Sequence, residues 1–217
     1  MASDFAHVRE QMVDCQIRTS DVTDPNVISA FLTVPREEFL PEQSKALAYC
    51  DSPLQTGDRM LMAAASMAKL LQAAEIKDTD VVLDIGCGSG YSAAVISRMC
   101  QFVVALESDR ELGNIASDNL ARLEYDNSVV VEGPLADGYP TEGPFDVIFL
   151  GGSIEELPDG LLAQLRPGGR LIAVEGSGNA AVAKIWINND TNISARPLHN
   201  CAIPPLAGFA KKPSFIF

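Results

Sequence analysis

The stretch VVLDIGCGSGYSAAVISRM, from Val81 to Met99, joins an apolar run to a helix-forming segment through three glycines at alternate positions, Gly86, Gly88 and Gly90. Glycine adopts backbone angles that other residues avoid, and its missing side chain lets a ligand approach the main chain closely. A glycine-rich turn between a strand and a helix also directs free N–H groups towards a bound group. An ordinary turn needs only one or two glycines, so the third one favours a ligand-binding turn.

The remainder of the chain after this turn alternates between apolar runs and helical patterns. The apolar runs predict five strands, at Val81–Gly86, Phe102–Glu107, Ser128–Gly133, Phe145–Gly152 and Arg170–Gly176. Nearly continuous apolar strands separated by helices are typical of a parallel sheet that is covered on both faces. After Gly176 the runs AVAKIWIN and PSFIF follow without convincing helices between them, which predicts an antiparallel C-terminal end to the sheet.

Helical patterns dominate the first third of the chain. They predict helices around Phe5–Cys15, at NVISAFL after Asp24-Pro25, and over the long segment Met60–Ile76. A polar loop is expected at DSPLQTGDR, before the last of these. We therefore predict a helical extension over residues 1–59, which covers the cleft as a lid, and a ligand-binding domain over residues 60–217.

Composition excludes several classes of function. The net charge of −13 disfavours nucleic acid as a partner, because proteins that bind phosphates usually present a basic face. No apolar run is long enough to span a bilayer and the N-terminus does not resemble a secretory signal, so the cytoplasm is the expected compartment. Five cysteines without metal-like spacing and only two histidines predict reduced thiols and no metal site.

The glycine spacing distinguishes between possible nucleotide-like ligands. The dinucleotide fingerprint G-x-G-x-x-G requires a glycine where this chain has Tyr91, and the phosphate-binding G-K-[ST] sequence is missing. The motif D-I-G-C-G-S-G, Asp84 to Gly90, instead resembles the first motif of S-adenosylmethionine-dependent methyltransferases. This resemblance implies a Rossmann-like α/β fold with a seven-stranded, mostly parallel sheet, and S-adenosylmethionine as the cofactor.

Glu107 supports this interpretation, because it ends the second predicted strand about twenty residues after the first glycine. A carboxylate at that place can accept hydrogen bonds from two ribose hydroxyls, although a solvated acid at a strand end is the simpler alternative. The resemblance adds a contact to adenine from Gly133-Pro134-Leu135, after the third strand. The expected cofactor-binding residues are Asp84, Gly86, Cys87, Gly88, Ser89, Gly90, Tyr91, Glu107, Ser108, Gly133, Pro134, Leu135 and Gly151.

A closer resemblance lies before the glycine turn. The hexapeptide V-P-R-E-E-F, at 34–39, followed by A-Y-C-D, at 48–51, is similar to the N-terminal region of protein-L-isoaspartate O-methyltransferases. The segment FDVIFLGGSIEELPDGLLAQLRPGGRLIAV matches this family as well. The resemblance implies methylation of a carboxylate of damaged aspartyl residues, with a protein or peptide as the partner.

One segment departs from the family. Members carry G-Q-T-I-S-x-P before the glycine turn, whereas this chain has Met60, Met62 and Ala64 at the threonine, serine and proline positions. Met62 is therefore predicted to line the acceptor pocket without a hydroxyl. Arg59 is a candidate clamp for the acceptor, because a guanidinium binds a carboxylate through two parallel hydrogen bonds; an arginine exposed on the surface is the alternative.

Three functions remain open on the sequence. The first is carboxylate methylation of the isoaspartyl type, which needs no general base because the acceptor is ionised at neutral pH. The second is methylation of a small molecule in an apolar pocket lined by the segment after Met60. The third is a protein that binds the cofactor without catalysis. The sequence makes no prediction of oligomeric state.

Overall fold

A computed structural model describes residues 4–211, and its centre is a seven-stranded sheet. The strands are β1 (Leu54–Thr56), β2 (Arg59–Leu61), β3 (Val81–Ile85), β4 (Phe102–Glu107), β5 (Ser128–Glu132), β6 (Phe145–Ile154), β7 (Leu165–Glu175), β8 (Val182–Asn188) and β9 (Ile193–Asn200). The α-helices are α1 (Phe5–Met12), α2 (Pro25–Thr33), α3 (Ala64–Ala74), α4 (Tyr91–Ser97), α5 (Arg110–Arg122) and α6 (Asp159–Leu162). Strands β1 and β2 form a separate hairpin.

The order of the strands in the sheet is β5-β4-β3-β6-β7-β8-β9. Neighbours from β5 to β7 are parallel, and β8 and β9 are antiparallel to the strands beside them. The predicted α/β fold with an antiparallel C-terminal end is thereby confirmed. Between β3 and β6 the order of the strands reverses, and in doubly wound sheets a ligand binds beyond the carboxyl ends of the strands at that point.

Each face of the sheet carries its own buried cluster, because successive side chains of a strand point to opposite faces. Val82 belongs to one cluster and Leu83 to the other. The cluster that contains Val82 also contains Met12 and Phe31 from the N-terminal helices. These helices therefore complete the core on one face of the sheet.

The segment before α3 differs from the sequence prediction. Residues of the predicted polar loop and of the predicted helix Met60–Ile76 form the hairpin, in which Leu54 pairs with Leu61 and Thr56 with Arg59. Helix α3 begins only at Ala64. Helix propensity is a weak preference that strand pairing and tertiary contacts override. The hairpin also spans the boundary at residue 59, and the division into extension and domain stays a prediction.

Two further differences lie in the C-terminal half. Strand β7 begins at Leu165, before the predicted strand Arg170–Gly176, and residues 166–169 form a bulge inside it, since the register moves from Phe145↔Leu165 directly to Val147↔Arg170. The last strand among the described residues is β9, which was not predicted, whereas the predicted strand PSFIF lies outside the described residues. Because β9 is largely exposed, its sequence ISARPLHN has no apolar alternation to reveal it. Within residues 4–211 no helix combines the length and the hydrophobicity needed to cross a bilayer.

Candidate active site

The three glycines of the turn follow β3 at the reversal point of the sheet. All have positive φ: +80° at Gly86, +57° at Gly88 and +95° at Gly90. A Cβ atom on Gly86 would lie 2.5 Å from Cδ1 of Leu206, and the positive φ would strain any side chain at this position. Gly88 instead faces the β1–β2 hairpin, whose nearest atoms would lie 3.8–3.9 Å from an added Cβ. The turn therefore presents bare main chain beneath the hairpin.

Glu107 ends β4 beside this turn, and its side chain is fully buried. Its carboxylate accepts backbone N–H bonds from Gly88 (2.9 Å), Ser108 (2.8 Å) and Asp109 (3.0 Å). Arg59 donates from Nη2 to Oε1 at 2.6 Å and from Nε to Oε2 at 3.3 Å. Burial alone would raise the pKa of Glu107, but the hydrogen bonds from Arg59 and from the main chain hold this pKa below its usual range. Glu107 is thus a fixed carboxylate.

Asp84, in β3, is a second buried acid at the site. Its Oδ2 atom accepts a hydrogen bond from the Ser92 hydroxyl at 2.6 Å, whereas Oδ1 has no partner among the described residues. The hydroxyl of Ser89, in the glycine turn, is also buried without a partner. Burial raises the pKa of Asp84 from 3.8 to about 7, against the Ser92 hydrogen bond, and the charge of Glu107 adds to the increase. Buried polar atoms without partners are rare in native proteins and indicate a missing ligand or water.

We expect Asp84→Asn to stabilise the fold increasingly as the pH rises. A carboxyl group whose pKa is higher in the folded state binds a proton on folding, and the stability so gained is complete below the unfolded pKa near 4 and lost as the pH rises through 7. Asparagine does not titrate, so the stability of the variant relative to the native protein should increase by roughly 3 kcal/mol between pH 5 and pH 8. Urea unfolding at the two pH values measures this difference. If the difference in the free energy of unfolding between variant and native protein is the same at both pH values, the pKa of Asp84 is not raised in the folded state.

The hairpin and the glycine turn enclose a small cavity of about 20 Å³. A cavity of this volume holds one water molecule. Its lining is mostly apolar or main chain, and among the described residues Arg59 is its one charged side chain. The lining residues are Thr56, Arg59, Met60, Leu61, Met62, Met67, Gly86, Cys87, Gly88, Ser89, Ser92, Phe149 and Gly151.

The structure thus brings both predicted acceptor residues, Arg59 and Met62, next to the glycine turn. Gly151 lies on the neighbouring strand β6, where an added Cβ would be 2.8 Å from the carbonyl oxygen of Gly86. Ser108 accepts a hydrogen bond from Arg59 at 2.8 Å. Burial raises the pKa of the Cys87 thiol, which disfavours a nucleophilic thiolate and agrees with a role in packing.

Other predicted residues lie outside the cavity. The side chain of Tyr91 packs into the core against Phe31 and Phe39, so only its main chain is near the turn. Leu135 is buried in the cluster that contains Leu83, on the face of the sheet opposite to the one covered by Tyr91. Gly133 lies at the same edge as Glu107 and donates its N–H to the carbonyl of Glu107 at 3.1 Å. The contacts of Gly133, Pro134 and Leu135 with adenine stay a prediction.

Sequence reasoning missed the role of Arg36, whose side chain is completely buried. The motif V-P-R-E-E-F forms a short 3₁₀ helix at Arg36–Phe39, as a turn held by Pro35 would. Within it, Arg36 donates to the carbonyl oxygens of Ala48 (2.8 Å) and Met62 (2.7 Å) and stacks 4.8 Å from the ring centre of Tyr91. The arginine of this motif therefore fixes the main chain of the acceptor segment at Met62.

The residues at this site fit S-adenosylmethionine. Glu107 supplies a carboxylate that suits a ribose diol, and Gly88 leaves main chain bare beneath the hairpin. The unpartnered Oδ1 of Asp84 suits the amino group of the cofactor, and the unpartnered Ser89 hydroxyl offers one more polar contact. In the part of the chain that the structure describes, no cluster of three histidine, cysteine or acidic side chains is arranged to hold a metal ion.

Comparisons with known proteins agree with this geometry. A family model described as protein-L-isoaspartate(D-aspartate) O-methyltransferase matches residues 7–210. A protein-L-isoaspartate O-methyltransferase from Koribacter versatilis is 32% identical over 205 residues, which are 94% of this chain and 92% of the relative.

Two solved structures are also similar. A protein-L-isoaspartate O-methyltransferase has a TM-score of 0.80 at 28% identity, covering 93% of this chain and 67% of its own. A chain from Plasmodium falciparum, in complex with S-adenosyl-L-homocysteine, has a TM-score of 0.76 and covers 92% of this chain and 98% of its own. At 23% identity, the second likeness shows the fold alone. On the family match and the identity over nearly the whole length, the chain belongs to the protein-L-isoaspartate(D-aspartate) O-methyltransferase family.

Proposed function

We propose that this chain transfers a methyl group from S-adenosylmethionine to the side-chain or main-chain carboxylate of an isoaspartyl or related damaged aspartyl residue in a protein or peptide. The observation that carries the proposal is Glu107, a buried carboxylate that is hydrogen-bonded to the glycine turn at Gly88 and lies beneath the β1–β2 hairpin. Family membership supports the same cofactor and the same class of acceptor.

The cofactor site in this proposal consists of the glycine turn, Asp84, Glu107 and Ser108. When bound, S-adenosylmethionine supplies an electrophilic methyl group on a sulfonium. Glu107 holds the sugar, and Asp84 orients the amino end with its free Oδ1 atom. The main chain of the glycine turn would fix the position of the methyl group relative to the cavity.

The acceptor site in this proposal is the cavity beneath the hairpin, which admits a carboxylate in place of one water molecule only when the hairpin moves. A carboxylate acceptor is ionised at neutral pH, so the reaction requires no general base, and the cavity is lined by no histidine, lysine or acid from residues 4–211. Met62, Met67 and Phe149 exclude water from the reacting atoms. Alignment and exclusion of water then supply the catalysis.

Transfer of labelled methyl groups to a synthetic isoaspartyl peptide tests this function. We expect the label to enter the isoaspartyl peptide, whereas the same peptide with an ordinary aspartate should stay unlabelled. The expected product is a methyl ester, which base treatment hydrolyses to volatile methanol. Binding of S-adenosylhomocysteine, measured separately by calorimetry, establishes that the protein preparation is competent.

A small-molecule acceptor is the second candidate, because Met60 and Met62 stand where the family carries hydroxyl groups. A site that cannot hydrogen-bond its substrate loses much of its discrimination for polar groups. Label that enters small molecules of a cell extract, but not the isoaspartyl peptide, would favour this candidate. Binding of S-adenosylhomocysteine with no labelled product would favour a protein without catalysis.

A further inference from the structure

The ion pair between Arg59 and Glu107 connects the acceptor hairpin to the sugar-binding acid. The two residues are 48 positions apart in the sequence, and the side chain of Arg59 is only 14% exposed. Arg59 contacts both carboxylate oxygens of Glu107 and also the hydroxyl of Ser108. This pair closes the hairpin over the glycine turn.

While Arg59 is paired with Glu107, the carboxylate has no free hydrogen-bonding position for a further ligand. Oε1 accepts hydrogen bonds from the N–H groups of Ser108 and Asp109 and from Arg59. Oε2 accepts from the N–H of Gly88 and from Arg59. A carboxylate offers about four lone-pair positions, and these five donors, with the Ser108 hydroxyl at 3.5 Å from Oε1 as a sixth, already share them. Two ribose hydroxyls could therefore reach Glu107 only if Arg59 leaves it, a step that rests on the function proposed above.

The cavity gives the released guanidinium a second partner. Arg59 already lines it beside Met60 and Met62, and no other charged side chain of the described residues does so. Burying a carboxylate among apolar side chains is strongly unfavourable unless an opposite charge accompanies it. An isoaspartyl carboxylate that enters this cavity thus needs Arg59 as its counter-charge.

We propose that Arg59 is the specificity-determining residue for the acceptor and exchanges partners during the reaction. Without cofactor it pairs with Glu107; with the sugar on Glu107 it pairs with the acceptor carboxylate. Two consequences follow. Cofactor binding must precede acceptor binding, and acceptors without a negative charge are disfavoured.

The first measurement is calorimetry with S-adenosylhomocysteine on the full chain. We expect Arg59→Gln to bind this ligand about fivefold to tenfold more tightly than the native protein, because no guanidinium then competes for Glu107. Arg18→Gln is the matched control, since Arg18 forms an exposed ion pair with Asp14 at 3.1 Å in the N-terminal region. Its affinity should equal that of the native protein.

The second measurement concerns the isoaspartyl peptide. We expect the native protein to bind the peptide in calorimetry only when S-adenosylhomocysteine is present. In Arg59→Gln the peptide affinity and the KM for the peptide should worsen at least tenfold, and Arg59→Lys should restore part of both because it retains the charge. Thermal melting of each variant shows that it is folded.

Three outcomes would overturn the exchange. Weaker binding of S-adenosylhomocysteine by Arg59→Gln would place Arg59 among the cofactor ligands. An unchanged peptide KM in Arg59→Gln would remove it from the acceptor site. Peptide binding to the native protein without S-adenosylhomocysteine would show that cofactor binding does not have to precede acceptor binding. If the native protein binds no S-adenosylhomocysteine at all, the proposed function itself fails, and this result is distinct from the other three.

Discussion

Replacement of Glu107 by glutamine is expected to weaken the binding of S-adenosylhomocysteine about a hundredfold. The proposal assigns two hydrogen bonds from ribose hydroxyls to this carboxylate, and hydrogen bonds to charged groups contribute about 1.5–3 kcal/mol each. Glutamine carries no charge, and its NH₂ group is repelled by the N–H groups that now face Glu107. Together these effects remove about 3 kcal/mol of binding free energy, which weakens the binding about a hundredfold. Calorimetric titration at neutral pH measures the change.

Glu132→Gln is the matched control for this variant. Glu132 ends β5 at the position directly beside Glu107 in the sheet register, but its side chain is 63% exposed and lies 4.0 Å from Arg110. The two acids thus share the strand end and differ in burial and in contact with the glycine turn. Equal affinities of both variants for S-adenosylhomocysteine, with melting temperatures near that of the native protein, would contradict the assignment of Glu107.

The structural features of the candidate site that the sequence indicates directly are those encoded by neighbouring residues. The glycine turn follows its strand directly, and the positive φ at Gly86 and Gly88 is a local property that only glycine adopts readily. Glu107 was placed from the end of an apolar strand, and parallel pairing then aligned it with the turn. The positions of the strands and of the turn in the sequence therefore suffice to predict where the glycine turn and Glu107 lie.

The parts that the sequence did not predict depend on contacts between distant segments. Residues Arg59 to Leu61 carry no strand signal, and their pairing with Leu54–Thr56 is visible only in the folded hairpin. The ion pair between Arg59 and Glu107 joins residues 48 positions apart, so the sequence predicts Arg59 as an acceptor clamp or a surface residue, and its contact with Glu107 is visible only in the folded chain. Arg36 is a similar case, because its motif indicates a helix start and gives no sign that the guanidinium is buried.

Replacement of Arg36 by methionine is expected to destabilise the fold by about 3 kcal/mol. Methionine fills much of the same volume, but it leaves the carbonyl oxygens of Ala48 and Met62 buried without donors, at a cost of about 1–3 kcal/mol each. Part of this cost is offset because a charged group no longer has to be buried. Burial lowers the pKa of Arg36, and the interaction with Tyr91 opposes the decrease, so the guanidinium is held by dipoles and an aromatic face instead of a carboxylate.

The consequences of this variant should fall on the acceptor and not on the cofactor. Arg36 donates to the main chain of Met62 and forms no hydrogen bond with Glu107 or the described glycines of the turn, so Arg36→Met should raise the KM for an isoaspartyl peptide while the affinity for S-adenosylhomocysteine changes less than threefold. A loss of about 3 kcal/mol lowers the melting temperature by roughly 6–12 °C in a protein of this size. Arg98→Met is the control, because Arg98 is an exposed arginine at the end of α4. Equal melting temperatures of Arg36→Met and Arg98→Met would show that Arg36 does not position the acceptor segment. An equal loss of affinity for S-adenosylhomocysteine and for the peptide in Arg36→Met would show the same.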